Sequence, residues 1–426
     1  TDPGDDDLHK LAVAESDWVG IQSAIIDAHH SGGGTVLLPD TGEDYLIDRG
    51  IWMLPNVNLV WLRDPHRPTH RYLRLVVPTR IVGAVVGPYN PYRAGSVCPA
   101  AGGEDDPERP RGLVCRVALI EPRIKAMTGE NAIAFGLGTY GVDIVGGHLT
   151  GARYATEADA VRGFNREGGK AIQLESGVQQ ATIAGTRISD STIGVSSSAG
   201  LFIKSRRADP NSEQRFNNAS HRIHLRNVLV ERADMPFLVS GVAYPGAPAN
   251  AAAVAPQSVL MEGIEVRDSG LLTVRPKVPY ENEDIRHQAG IFNLLGASNL
   301  IVREQSREHP NTIANRFEIG SLVRGYGEGI DIGDVRMNGR VKHLVDVHTP
   351  FGRLASRPVL RSVRIRSTVV TGVTGSPLRG LAGDDPGRTA PSLRELEIDV
   401  STRDRPAPAP GASAAPAEPH IRLRVD

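Results

Sequence analysis

The segment Tyr326-Gly327-Glu328-Gly329-Ile330-Asp331-Ile332-Gly333-Asp334 gathers three carboxylates on one short glycine-rich stretch. Read as a strand, it turns Ile330 and Ile332 inward and Asp331 outward, with Glu328 at the turn before and Asp334 at the turn after. Cleavage of a glycosidic bond needs an acid and a base or nucleophile about 5–10 Å apart, a separation that strand geometry supplies. The following strand, Val345-Asp346-Val347-His348, adds Asp346 and His348 two residues apart on one outward face. Asp331 is therefore the expected catalytic centre, with Glu328, Asp346 and Asp334 as partners and His348 as an orienting group. Solvated carboxylates along a strand edge would leave the same pattern.

A second constellation is basic. Lys204, Arg206 and Arg207 lie close in sequence, and Arg215, Arg275, Lys277 and Arg286 fall on neighbouring excursions. Elimination from a uronate-containing glycan needs a base of lowered pKa and cations, or calcium, that neutralise the sugar carboxylate. Lys204, Arg206 and Arg275 are the candidates for that role. Glu213, Glu281, Glu283 and Asp284 are interleaved with them, as on an ordinary charged surface. No dense acidic cluster accompanies Lys204, so no cofactor is expected, calcium entering only with an elimination reaction. Aromatic residues are few, and Tyr140, Tyr154, Tyr244, Tyr280, Phe292 and Tyr326 fall where loops would wall a groove. Tyr244, Tyr280 and Tyr326 are expected to stack on sugar rings, which buries large area at small entropic cost. Gly146-Gly147-His148 reads as part of a coil, and His29 and His30 as favourable charges at a helix C-terminus.

The elements that must position these residues follow from a repeat. Its unit is apolar, any, small-or-Asn, apolar, any, apolar, found at Ile183-Ala-Gly185-Thr-Arg-Ile188, Leu225-Arg-Asn227-Val-Leu-Val230, Met261-Glu-Gly263-Ile-Glu-Val266 and Leu360-Arg-Ser362-Val-Arg-Ile365. Ile319-Gly-Ser321-Leu-Val-Arg324 departs at its last position, and residues 290–302 could supply a further copy. Each unit reads as a strand, a bend at the small residue and another strand, so that stacked coils bury a continuous aliphatic core. Asp190, Asp234 and Asp268 recur at the next turn and suit hydrogen bonds to turn amides. Long excursions interrupt the coils at 153–169, 205–220, 243–257, 275–287, 303–315 and 374–391, and loops on a rigid scaffold are where binding residues concentrate.

Residues 21–62, IQSAIIDAHHSGGGTVLLPDTGEDYLIDRGIWMLPNVNLVWL, read as a helix stopped by glycines and followed by short strands. This opening resembles the N-terminal cap and first coil of the pectin-lyase-like superfamily. The resemblance implies an all-β fold, a right-handed parallel β-helix solenoid with an N-terminal helix cap, and a groove that binds or cleaves polysaccharide chains. The stretch around Glu328 resembles the polygalacturonase motif NTDGID, although no GDD, GHG or RIK follows it at the expected places.

Composition sets limits. The 426 residues carry 46 Gly, 30 Pro and 5% aromatics, which suits many short strands and turns. A net charge of −1 favours neither nucleic acid nor an anionic membrane. No apolar run approaches the ~20 residues of a membrane span. Cys98 and Cys115 bracket a polar loop, and a bridge between them would add about 3 kcal/mol. The expected organisation is one β-helix over 1–404 and a Pro/Ala-rich tail with a final strand over 405–426. The expected function is cleavage of glycosidic bonds in a poly- or oligosaccharide by carboxylate acid/base chemistry, in a secreted or periplasmic protein that is a monomer or homotrimer. Elimination from a uronate glycan, and glycan binding without catalysis as in a tailspike-like adhesion protein, are the alternatives.

Overall fold

The computed structural model describes residues 16–62, 72–75, 84–88, 115–135, 139–155, 168–175, 178–198, 220–240, 258–270, 290–347, 359–379, 392–402 and 421–425. The chain divides into two compact units, Thr1–His224 and Leu225–Asp426. Each is built of parallel β-helix coils.

In the first unit the helix Trp18–His30 precedes the strands Gly34–Leu38, Tyr45–Ile47 and Ile51–Met53. Ile21 and Ile25 are buried. Between them Gln22 bonds to a strand backbone. Its Nε2 donates to the Trp52 carbonyl at 2.9 Å and its Oε1 accepts from the Trp52 N–H at 2.8 Å. The side-chain amide takes the place of a neighbouring strand and satisfies an edge that would otherwise stay open. Asp17 acts alike at Leu46, whose N–H donates to Oδ2 at 2.8 Å. The helix ends where Gly33, at φ +117°, lies so close to Asn56 that a Cβ would fall 2.7 Å from its carbonyl oxygen. His29 reaches the Pro55 carbonyl through Nδ1 at 3.0 Å.

Each later coil of this unit runs strand, bend, short strand, turn, strand. One coil holds Cys115–Ile120, Arg123–Lys125 and Asn131–Phe135; the next holds Tyr140–Val145, His148–Thr150 and Lys170–Glu175; a third holds Gln179–Ala184, Arg187–Ser189 and Ile193–Ser198. Equivalent strands pair in parallel. Parallel strands joined by such crossovers take the right-handed path. Val117, Leu119, Val142, Ile144 and Ile183 stack inward, all 0–1% exposed. The bend opens on a residue in the left-handed region: Glu121 at φ 52°, Gly146 at 69° with Gly147 following at 79°, and Gly185 at 66°. That conformation is why the repeat favours Gly and Asn there.

The second unit follows the same rule with fused strands. Gly290–Arg303 pairs through its first half with Met235–Ser240 and through its second with Ser258–Glu262. Its bend is Asn299 at φ 54°, stacked on Gly329 (67°) and Ser362 (51°) through the flanking register. Residues 290–302 thus do supply a coil. Ser321, in contrast, is no bend: it pairs within Ile319–Gly333 between Gly290 and His343. The repeat copy read at Ile319 belongs one bend later, at Gly329. Ile421–Val425 lies antiparallel on Ser392–Thr402. No disulfide occurs among the described residues; Cys98 lies outside them, and only the backbone of Cys115 is described.

Turn amides are met by side chains from adjacent coils. Asn315 accepts from the Ser269 N–H at 3.2 Å and donates to its carbonyl at 2.8 Å. Asp268, left-handed at φ 45°, accepts from the Arg316 N–H at 3.0 Å and from its Nε at 2.8 Å. The Arg316 guanidinium holds the Asp268 carboxyl below its ordinary value. Because the folded pKa is depressed, the stabilisation is present above the unfolded value and lost as pH falls through the folded one. Asp268→Asn, which tolerates the same backbone conformation, should therefore flatten the acid limb of the pH–stability curve. Arg316 is 75% exposed, so urea midpoints should register only about 0.2–1 kcal/mol at neutral pH.

Candidate functional site

In the second unit the strand Ile319–Gly333 carries Glu328 and Asp331, and Asp334 follows it. The register sets Glu328 between Ser298 and Arg361, and Asp331 between Ile301 and Arg364. Asp331 faces a shallow depression of about 280 Å³ that Asn299, Ile301, Gly329, Ser362 and Arg364 also line. Arg366 closes on Asp331 from the next coil: Nη2 donates to Oδ1 at 2.9 Å and to Oδ2 at 2.7 Å, and Nε to Oδ1 at 3.2 Å. Both oxygens accept from the guanidinium, a bidentate pair that fixes the carboxylate's orientation. Glu328 is exposed, and Asp334 is half-buried at φ 54°.

Asp346 does not join this group. It is 3% exposed and pairs in register with Arg324, itself 5% exposed, at 3.6 Å. Strand alternation does turn it away from Val345, but the outward side of this strand is covered rather than wet. Phe292, expected in a groove loop, is 1% exposed in the core. His348, Lys204, Arg206, Arg275, Tyr244 and Tyr280 lie outside the described residues, and Tyr326 is placed by its backbone alone, opposite Leu295.

The first unit assembles a different group. In the short strands, Ile124, Leu149 and Ile188 point inward and are fully buried. Their neighbours form two outward columns across the coils: Arg123, His148 and Arg187 in one, Lys125, Thr150 and Ser189 in the other. The glycine pair before His148 makes this register attainable. Gly147, at φ +79°, passes so near Pro122 that a Cβ would sit 2.1 Å from its carbonyl oxygen. The His148 N–H donates to that same oxygen at 2.7 Å.

Tyr72 arrives from 76 residues upstream and places its hydroxyl 2.9 Å from His148 Nδ1. The rings meet edge to face at 5.8 Å and 64°. Asp44 fixes the Tyr72 backbone, accepting its N–H at 2.8 Å. On the other side of the imidazole, Nε2 lies 2.9 Å from Ser189 Oγ, which donates to Thr150 Oγ1 at 3.0 Å. Burial pushes the Tyr72 phenol above its ordinary value, the charges of Arg123 and Arg187 act against this, and Asp44 adds to it.

A phenol and an imidazole in direct hydrogen bond can exchange a proton, and guanidinium groups recognise carboxylates with fixed geometry. The column therefore sets groups that can exchange a proton beside groups that can hold an anion.

No protein-family profile and no curated protein matches this chain. Among solved structures it is similar to the surface adhesin PfbA of Streptococcus pneumoniae, at 10% identity and TM-score 0.47 over 92% of this chain and 95% of the adhesin. The mannuronan C-5 epimerase AlgE6 A-module of Azotobacter vinelandii is similar at 13% identity and TM-score 0.38, covering 92% and 91%. A Geobacillus virus E2 protein, ORF18, is similar at 12% identity and TM-score 0.43; this chain is covered to 91% and spans 58% of the viral one. The fold of this chain, by its own strand pairing, is a right-handed parallel β-helix.

Proposed function

We propose that this chain is a polysaccharide-modifying enzyme that acts on an acidic glycan by removing the proton beside a uronate carboxylate. The observation that carries this reading is the Tyr72–His148 hydrogen bond of 2.9 Å set in the Arg123–His148–Arg187 column. The two guanidinium groups bind the sugar carboxylate and stabilise the negative charge that develops on it. Tyr72 touches the substrate. Its proton passes to His148 Nδ1, and the phenolate takes the proton from the carbon next to the carboxylate. That carbon–hydrogen bond breaks, a carbon–carbon double bond forms, and the glycosidic carbon–oxygen bond breaks in turn. Tyr72 then gives its proton to the leaving oxygen and regains one from the imidazolium, which returns the site to its first state.

The second reading is hydrolysis of a glycosidic bond at Glu328, Asp331 and Asp334. It is favoured by the depression beside Asp331. One assay separates the two. The chain is incubated with a panel of uronate-containing and neutral glycans, and ultraviolet absorbance is followed alongside new reducing ends. Elimination predicts a conjugated double bond from uronate glycans and none from their carboxyl-reduced forms. New reducing ends without that absorbance would overturn elimination in favour of hydrolysis.

A further inference from the structure

The Tyr72 hydroxyl meets His148 across two coils. Leu73, Ile124, Leu149 and Ile188 pair one after another through four adjacent coils. Tyr72 stands one residue before Leu73, as Arg123, His148 and Arg187 stand before Ile124, Leu149 and Ile188. Tyr72 is therefore the first member of the same outward column, and it reaches past the coil of Arg123 to place its hydroxyl 2.9 Å from His148 Nδ1. Neighbouring strands lie about 4.7–4.9 Å apart, so the two backbones are separated by roughly twice that distance. The hydroxyl sits at the far end of a rigid side chain, where a small tilt of the backbone is magnified.

That backbone lies just beyond the end of its strand. Leu73–Leu75 pairs with Tyr45–Ile47, and the Tyr72 carbonyl still accepts from the Tyr45 N–H at 2.9 Å. A continuing parallel ladder would offer the Tyr72 N–H the carbonyl of residue 43. The chain bends at 42–43, and the Glu43 carbonyl accepts instead from the Thr41 hydroxyl at 3.2 Å. Asp44 Oδ1 takes the missing place and accepts the Tyr72 N–H at 2.8 Å. The direction of this bond is fixed by chemistry, since an amide N–H only donates. Both polar groups of the Tyr72 backbone are thus held by residues 44–45, one through the main chain and one through a half-buried carboxylate.

We propose that Asp44 is a positioning residue for the Tyr72–His148 pair: its carboxylate supplies the rung that the strand lacks and so holds the phenol against the imidazole. This rests on the proposed role of the pair, but the arrangement can be read without any substrate. The action of Asp44 passes through the Tyr72 backbone, so an amide in its place should serve nearly as well as the carboxylate.

The test uses the full chain with carbon-13 in its tyrosine and histidine rings, the two residues being assigned by the signals lost in Tyr72→Phe and His148→Gln. The wild type is expected to show a nuclear Overhauser contact between the Tyr72 and His148 rings. Asp44→Ala removes the acceptor, so that contact should weaken or vanish. Asp44→Asn keeps an oxygen for the amide and should retain it. Asp44→Glu keeps the charge but misplaces the oxygen; it should also lose the contact, and it serves if Asp44→Ala does not fold. Where a substrate is turned over, Asp44→Ala should lower kcat about 10–100-fold with KM nearly unchanged, and Asp44→Asn should recover most of the loss. In the Tyr72→Phe background Asp44→Ala should cost nothing further, because its effect runs through the Tyr72 hydroxyl. A ring contact kept in both Asp44→Ala and Asp44→Glu, or an equal loss of kcat with and without that hydroxyl, would overturn the inference. Loss of the contact as expected, with no product from any uronate glycan, would instead overturn the proposed reaction and leave the role of Asp44 standing.

Discussion

Tyr72→Phe and His148→Gln should each lower turnover of an acidic glycan by about 10²–10⁴-fold, the ordinary worth of a positioned acid or base. That range corresponds to about 3–5 kcal/mol of transition-state stabilisation. Tyr72→Phe removes one oxygen and leaves the ring edge to face with His148, so the loss would not come from misfolding. Thermal unfolding should remain within about 0.5–1.5 kcal/mol of wild type, the net worth of one hydrogen bond. Arg123→Gln and Arg187→Gln should raise KM and lower kcat together, because in the proposed reaction the guanidinium groups bind the carboxylate and also meet its growing charge. Asp331→Asn should leave this reaction untouched, since Asp331 is no part of the Tyr72–His148 group and its carboxylate is held by Arg366. Full activity in Tyr72→Phe, or its disappearance in Asp331→Asn, would transfer the chemistry to the Glu328–Asp334 strand.

Much of the scaffold could be read along the chain, because a coil imposes local rules. The left-handed bend demands Gly, Asn or a residue that tolerates it, and Gly185, Asn227, Gly263 and Ser362 announce it. The rule slipped at Ile319, where Gly-Ser looks like a bend but sits inside a paired strand, and the bend in register with Asn299 and Ser362 is Gly329, at φ 67°. The helix cap was legible as a helix. The role of Gln22 was not, since an amide that completes a strand edge resembles any polar helical residue.

The Tyr72–His148 group was not found because its order lies across coils. Arg123, His148 and Arg187 are ordinary outward positions taken one strand at a time. Only the inter-coil register makes them a column, and Tyr72 enters from a stretch with no periodicity. The available signal was the recurrence of a basic residue just after each bend, in RIK, HLT and RIS. Asp346 was misplaced for the complementary reason. Alternation tells which way a side chain points and not what covers it, and Arg324 and Asp346 show an outward face that is buried.

Core stacking leads to the largest effect on stability. Phe237 and Phe292 lie one above the other in register, with ring centroids 5.7 Å apart and planes inclined by 14°. Val323 and Val345 continue the same column in the next coils. Phe292 is 1% exposed and Phe237 is fully buried. Phe292→Ala should therefore destabilise the second unit by about 3–5 kcal/mol, through lost burial and the cavity left between two coils. In a coil stack, stability is a sum of terms within coils and between neighbours, and this cavity weakens the interface on both sides of one coil. A urea titration should accordingly show a lower midpoint and a broader or split transition, as the coils before and after residue 292 lose their coupling. Phe317→Ala, at a residue 63% exposed, should stay within about 0.5 kcal/mol. If both variants unfolded alike, the column would not be what holds these coils together, and the stacked-core account of the second unit would fail.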